Sequence, residues 1–249
     1  MDWKLLHNLG HTRASHGRDH LLQTPDTFIR APLPGMKGCT AVVHAGPALG
    51  AAFTQYTAEM DAAGCLGPTD TQRFLYVLEG QIVLRKEHEQ HTLHERGFAY
   101  VPAGSGVKVE AQMQSRVAVI EKSYWKLDGV IAPELLVSSE DVVASQPLMG
   151  NEDLQVRSLL PNTEVYDFAV NTMTFQPGAA LSLVEMHVME HGLLMLDGGG
   201  IYRLGENWYP VSAGDFIWMA PYCPQWFGAI GKIPARYLIY KDWNRHPLI

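Results

Sequence analysis

The stretch LYVLEGQIVLR, residues 75–85, returns as LLMLDGGGIYR at residues 193–203. Each copy is an apolar run, an acidic residue, a glycine and a second apolar run, the pattern of two short strands joined by a tight turn. Working outward, RGFAYVPAG (96–104) matches AGDFIWMAP (213–221), and RVAVIEKSYW (116–125) matches RYLIYKDW (236–243), at offsets of 117 to 120. One strand-rich unit of about 100 residues therefore occurs twice. Two such units predict an all-β chain of two tandem antiparallel barrels, the closed form that leaves no sheet edge bare. The strand pattern lapses at DGVIAPE (128–134), which places the domain boundary between residues 1–130 and 131–249.

Short runs rich in Val, Ile, Tyr, Phe and Trp recur between Gly, Pro, Asn and Asp turns, as at Phe74–Leu78, Gln81–Lys86, Gly97–Pro102 and Arg116–Glu121. Helical periodicity is scarce. The exception is a turn expected near Ser138–Val143, where SSEDVV sets a capping residue ahead of two acidic ones. A net charge of −7 and the lack of any basic run argue against nucleic acid as a partner and leave a small molecule as the expected one. Three cysteines without CxxC spacing, Cys39, Cys65 and Cys223, indicate neither a disulfide framework nor a thiolate zinc site; they read as buried thiols of a reducing compartment. No signal-peptide core opens the sequence, and no apolar run approaches the roughly 20 residues that span a bilayer, so the expectation is a soluble, cytoplasmic protein.

The second copy carries Gly178-AALSLV-Glu185-M-His187-VME-His191-GLLMLD-Gly198. Side chains alternate along a strand, so Glu185 and His187 share a face, and even spacing keeps His191 there if the path stays extended. The alternatives are a metal site or core polar residues satisfied by hydrogen bonds; a carboxylate and two imidazoles at one parity, flanked by glycines, favour the metal. A second histidine-rich segment, EHEQHTLHER, sets His88, His91 and His94 three apart. Odd spacing sends alternate side chains to opposite faces of a strand, so this segment reads as a solvated hairpin turn. His11, His16 and His20 lie in a polar N-terminal arm with no assigned role; such an arm could pack at a subunit interface.

The glycine-bounded motif resembles the cupin superfamily (double-stranded β-helix, or jelly-roll, barrels), in which a first motif of the form G-x5-H-x-H-x(3,4)-E-x6-G precedes a second ending in a His ligand. Glu185, His187 and His191 fall at the first-motif ligand positions, with Glu and His exchanged, and Gln225 stands at the second-motif His. This mixed oxygen and nitrogen set suits octahedral Mn²⁺ or Fe²⁺ better than structural zinc. In the first copy Gly67, Thr69 and Arg73 hold the corresponding places, with Val107 or Lys108 last, so the resemblance implies a bicupin whose first barrel has no metal and serves structure or assembly.

The exchanged E-x-H-x3-H with a later Gln resembles the (S)-ureidoglycine aminohydrolase family. The similarity runs through PGMKGCTA (34–41), LGAAFTQY (49–56), FLYVLEGQI (74–82), EMHVMEHG (185–192), ENWYPVSAGDFIWM (206–219) and YLIYKDWNR (237–245). The resemblance implies one Mn²⁺ per chain, a homo-oligomer, and hydrolytic release of ammonia from a small ureido substrate. It assigns Glu185, His187, His191 and Gln225 to the metal and Glu185, Gln225, Tyr237 and Lys241 to the substrate, with Tyr202 lining the pocket. Lys241 and Tyr202 are then the candidate catalytic groups. Alternation independently brings Tyr237 and Lys241 to one face of RYLIYK. The rival readings are another metal-dependent cupin reaction, such as dioxygenation or isomerisation, and a non-catalytic ligand-binding bicupin. Lys241 separates the last, because a sensor needs no titratable group beside its metal.

Overall fold

The computed structural model describes residues 12–243. The chain is all-β, with 55% of the described residues in strands and 4% in helix. His11, and the Asn244 and Arg245 of the terminal motif, lie outside the described residues. Two compact units emerge, and they exchange segments of the sequence. The unit built on the first repeat holds Ile29–Gln146, Val156–Asn171 and the described residues from Tyr240 on; the unit built on the second holds the described residues through Phe28, with Pro147–Gln155 and Thr172–Ile239.

The first-repeat unit is a ten-stranded sheet. Its path runs Leu136–Ser139, Gly97–Val101, Gln72–Glu79, Ser115–Lys122, Thr54–Leu66, Lys108–Ala111, Gln81–Lys86, Glu89–His94, with Met36–Ala45 and Arg30–Ala31 added beside Thr54–Leu66. Strand alternation turns Leu75 and Val77 onto the same core as Ala99, Val101, Val117 and Val119, all of them buried. Each such side chain contributes about 1.5–3 kcal/mol on leaving water. The histidine-rich segment forms an edge strand, Glu89–His94, paired with Gln81–Lys86, where an extended turn was expected. His88, His91 and His94 are nevertheless exposed.

The second-repeat unit has an eight-stranded sheet in the order Ser15–His16, His20–Gln23, Phe216–Met219, His191–Asp197, Ala235–Lys241, Ala169–Phe175, Asn151–Ser158, Gln146–Leu148. A three-stranded sheet, Asn207–Ser212, Gly199–Leu204, Gln225–Ala229, completes it. The two units repeat each other in register. Arg73 pairs with Val101 in the first, and His191 with Met219 in the second. Gly80 and Gly198 close the matching hairpins at φ 87° and 63°. A β-carbon at either would collide, with Ser115 and Gln114 at the first and with Pro234 at the second, which accounts for a glycine in both copies.

The edge strands are where the chain departs most from its sequence reading. Leu136 and Val137 pair with Tyr100 and Ala99, while Leu21 and Leu22 pair with Trp218 and Ile217. Each edge strand leads into a single 3₁₀ turn, Glu140–Val142 in one case and Pro25–Thr27 in the other. The first lies where SSEDVV predicts it, with the Ser139 side chain accepting a hydrogen bond from the Asp141 N–H. The segment leading the first repeat thus edges the second-repeat sheet, and the segment leading the second repeat edges the first. Among the described residues no helix is long and apolar enough to cross a membrane. Cys39 and Cys223 are buried free thiols, and Cys65 is half-buried and free.

Candidate metal centre

The four expected ligands come from two segments of the second-repeat unit that main-chain hydrogen bonds tie together. Residues 181–190 do not form the continuous strand that parity assumes. Isolated bridges pair Ala180 with Gly228 and Glu185 with Gln225. The Glu185 N–H donates to the Gln225 carbonyl at 2.8 Å, and the Gln225 N–H returns the bond at 2.9 Å. The Tyr222 N–H donates to the His187 carbonyl at 2.7 Å. The segment bends at residues 182–183 and again at 188–189, so the extended path that parity assumes is interrupted between His187 and His191.

His187 Nε2 lies 3.1 Å from Glu185 Oε2, and the rings of His187 and His191 have centroids 5.2 Å apart. His191 is buried and opens the strand His191–Asp197. Its Nδ1 lies 2.6 Å from the Glu190 carbonyl oxygen, which can only accept, so Nδ1 carries the proton and Nε2 keeps its lone pair. This is the backbone bond that fixes the tautomer of a metal-binding histidine. Gln225 is buried, and its Oε1 accepts from the Tyr202 hydroxyl at 2.9 Å. Glu185 and His187 are thus in contact, the His191 ring lies beside His187, and Gln225 is joined to Glu185 through the main chain; a carboxylate, two imidazoles and an amide are residue types that fit a divalent first-row cation.

Tyr202 is wholly buried, and burial followed by the nearby Glu185 charge pushes its phenol far above the ordinary tyrosine value. It stays protonated and serves as a fixed donor to Gln225. Tyr237 is equally buried and shifted the same way, by burial first and then by Tyr202 and Glu185. Its ring packs against Phe175 and Phe227, with its hydroxyl donating to the Met173 sulfur at 3.3 Å. Aromatic packing and a side chain directed into the second repeat are both realised here. Lys241 ends the strand Ala235–Lys241 and is grouped with the first-repeat unit; it is half-buried, with its ammonium 5.6 Å over the Trp243 ring.

One residue that sequence reasoning left without a role, His20, is built into the second-repeat unit. His20 is buried, with Nδ1 2.7 Å from Asp19 Oδ1 and Nε2 2.9 Å from the Tyr209 hydroxyl. Asp19, His20 and Cys223 also bring ligand-type atoms within 4.8 Å of one another. Both ring nitrogens of His20 are already engaged, so we read the group as a hydrogen-bonded clasp on the arm. The spacing of His16 and His20 gives no hint of it, because the Tyr209 partner lies 189 residues away.

A family model described as a cupin domain matches residues 171–240, a segment that includes the four candidate ligands. Over 245 residues, 96% of this chain, the sequence is 42% identical to the (S)-ureidoglycine aminohydrolase of Arabidopsis thaliana, with 80% of that protein covered. Over 237 residues, 92% of this chain, it is 34% identical to the (S)-ureidoglycine aminohydrolase of Escherichia coli (strain K12), with 90% covered. The crystal structure of protein Ylba from E. coli superposes with a TM-score of 0.84 at 30% identity, covering 96% of this chain and 97% of that one.

Proposed function

The chain belongs to the (S)-ureidoglycine aminohydrolase family, and from that premise we propose that it hydrolyses (S)-ureidoglycine to (S)-ureidoglycolate and ammonia in the degradation of purine-derived allantoin. The observation that supports the reading is the contact of Glu185 with His187 beside the His191 ring, with Gln225 tied to Glu185 through the main chain and held by Tyr202. These four would hold one divalent ion. The cupin fold implies such an ion, and we assign it as Mn²⁺, with Fe²⁺ the next candidate. When bound, the ion supplies Lewis-acid polarisation and a fixed positive charge at the substrate.

The substrate carbon bears an amine, a carboxylate and a ureido nitrogen. The ureido lone pair can expel the amine as ammonia, and water then adds to the resulting imine; the C–N bond to the amine breaks and a C–O bond forms. In this reading Glu185 and Gln225 contact the substrate beside the metal. Tyr202 holds the Gln225 amide in orientation, which makes it a positioning residue. Tyr237 would exchange the weak Met173 acceptor for the substrate. Lys241 pairs with the substrate carboxylate or carries the proton delivered to the departing amine. Exposed Leu183, Met186 and Tyr222 beside the ligands support a homo-oligomer that covers this apolar rim. We place the enzyme in the cytoplasm, in keeping with its three free thiols. The domain reading that accompanies it is a metal-free barrel in residues 1–130 and a metal-bearing one in 131–249, with their leading strands exchanged.

The test is ammonia release from freshly generated ureidoglycine, before chelation, after it, and after Mn²⁺ is restored. His187→Ala is expected to lose both stoichiometric metal and ammonia release. Full activity in that metal-free variant would overturn the assignment, and an inactive enzyme with its metal intact would point to another cupin reaction. Lys241→Met that keeps ligand binding but loses turnover separates catalysis from sensing.

A further inference from the structure

The first repeat retains a cavity at the place where the second has its ligands. Counting back 13, 11 and 7 residues from Gly198 gives Glu185, His187 and His191; the same steps from Gly80 give Gly67, Thr69 and Arg73. All three line one cavity of about 300 Å³, together with Tyr56 and Glu121. The strand registers make the match structural, since Arg73 and His191 occupy equivalent rungs. Glu121 stands where the second repeat has Lys241, each five residues beyond the matching Arg116 and Arg236. A metal ligand and a lysine have been replaced by an arginine and a glutamate.

The Arg73 guanidinium is 7% exposed. Its Nε donates to Glu121 Oε1 at 2.7 Å and its Nη1 to the Gly67 carbonyl at 2.9 Å. The Tyr56 hydroxyl donates to the same Glu121 Oε1 at 2.9 Å. Among the described residues Arg73 Nη2 and Glu121 Oε2 have no hydrogen-bond partner, which leaves one donor and one acceptor on a single ion pair. Because the pair is internally neutral, it would repel neither a neutral ligand nor the N–H end of a polar one. A carbonyl beside an N–H matches it, accepting from Nη2 while donating to Oε2. The volume lies at the small end of known ligand pockets, sufficient for a molecule of about ten heavy atoms. A larger cavity of about 620 Å³, lined by Asp61, Gln114 and Arg116 among others, has its charged side chains exposed or half-buried and no comparable buried ion pair.

We propose that the first repeat's cavity, around Arg73 and Glu121, is a second small-molecule site that takes a ureido or amide group. It stands apart from the metal and does not depend on the metal-site reading. N-carbamoylglycine is a stable ureido probe for it, and hydrogen exchange read by mass spectrometry resolves the two regions independently. With the whole protein, the probe is expected to slow exchange in peptides spanning residues 66–75, by about tenfold when present at ten times its half-saturating concentration. Acetate at the same concentration should not. Glu121→Gln keeps the acceptor used by Arg73 and Tyr56 but removes the open one, and should abolish the protection; Arg73→Met should do the same. Protection confined to peptides 181–192 and 220–226 would overturn the cavity site while leaving the metal centre standing. Equal protection by acetate, protection retained in Glu121→Gln, or no response at 66–75 would each overturn it too.

Discussion

Burial first, and then the Glu185 carboxylate, push the Tyr202 phenol above its ordinary pKa. That makes the hydroxyl a permanent donor to Gln225 and defines what removing it would do. Tyr202→Phe keeps the ring that packs at 5.5 Å from Phe227 but frees the Gln225 amide to rotate. Outer-shell partners of this kind are worth about 10- to 100-fold in metal affinity or activity. We expect Mn²⁺ affinity, measured by chelator competition, to fall in that range, while the loss of one hydrogen bond lowers stability by only about 1 kcal/mol. At this scale residue type and spacing were enough to single out Glu185, His187 and His191 as candidate ligands. The site was illegible where function depends on a distant partner. Parity put the Tyr237 ring into the second repeat, yet nothing in YLIYK says that its hydroxyl meets Met173, and nothing in the arm says that His20 meets Tyr209, 189 residues on.

The arm is a case in which an element was present but too short to read. His20–Gln23 is four residues long, with His20 and Leu22 buried and the alternate positions half-buried. Four residues cannot establish a period of two against a polar background. What holds the arm is chemistry as well as pairing. Asp215 is fully buried and accepts from Arg13 Nη2 at 2.8 Å and from the Ser212 N–H at 2.8 Å. Arg13→Ala leaves that carboxylate with the main-chain donor alone. Because the Arg13 side chain is 38% exposed, the expected cost is moderate, about 1–2 kcal/mol. A thermal melt should then shift down by about 2–8 °C for a chain of this size, with metal content unchanged; an unaltered melting temperature would show that strand pairing alone secures the arm. The hairpin glycines, in contrast, were legible because a positive φ and a blocked β-carbon leave one residue type.

For the molecule as a whole, repetition made the architecture readable, and exchange of leading strands is what repetition could not reveal. A pattern search aligns strands to one another but is blind to which sheet an edge strand joins. The exchange has a direct consequence for cutting the chain. Residues 131–249 alone would lack the strand that covers Phe216–Met219, and residues 1–130 alone would lack Leu136–Ser139. Each half is expected to aggregate or to lose cooperative unfolding, whereas the two produced together should recover a soluble complex with one metal per pair, as read by light scattering and elemental analysis. A soluble, metal-loaded second half on its own would refute the importance of the exchange. The same pairing sets a clock during synthesis. Leu22 leaves the ribosome 195 residues before its partner Ile217, which at about 5–20 residues per second is a wait of roughly 10–40 s. For that interval the Leu22 strand has no sheet to join, so this segment of the nascent chain stays open to capture.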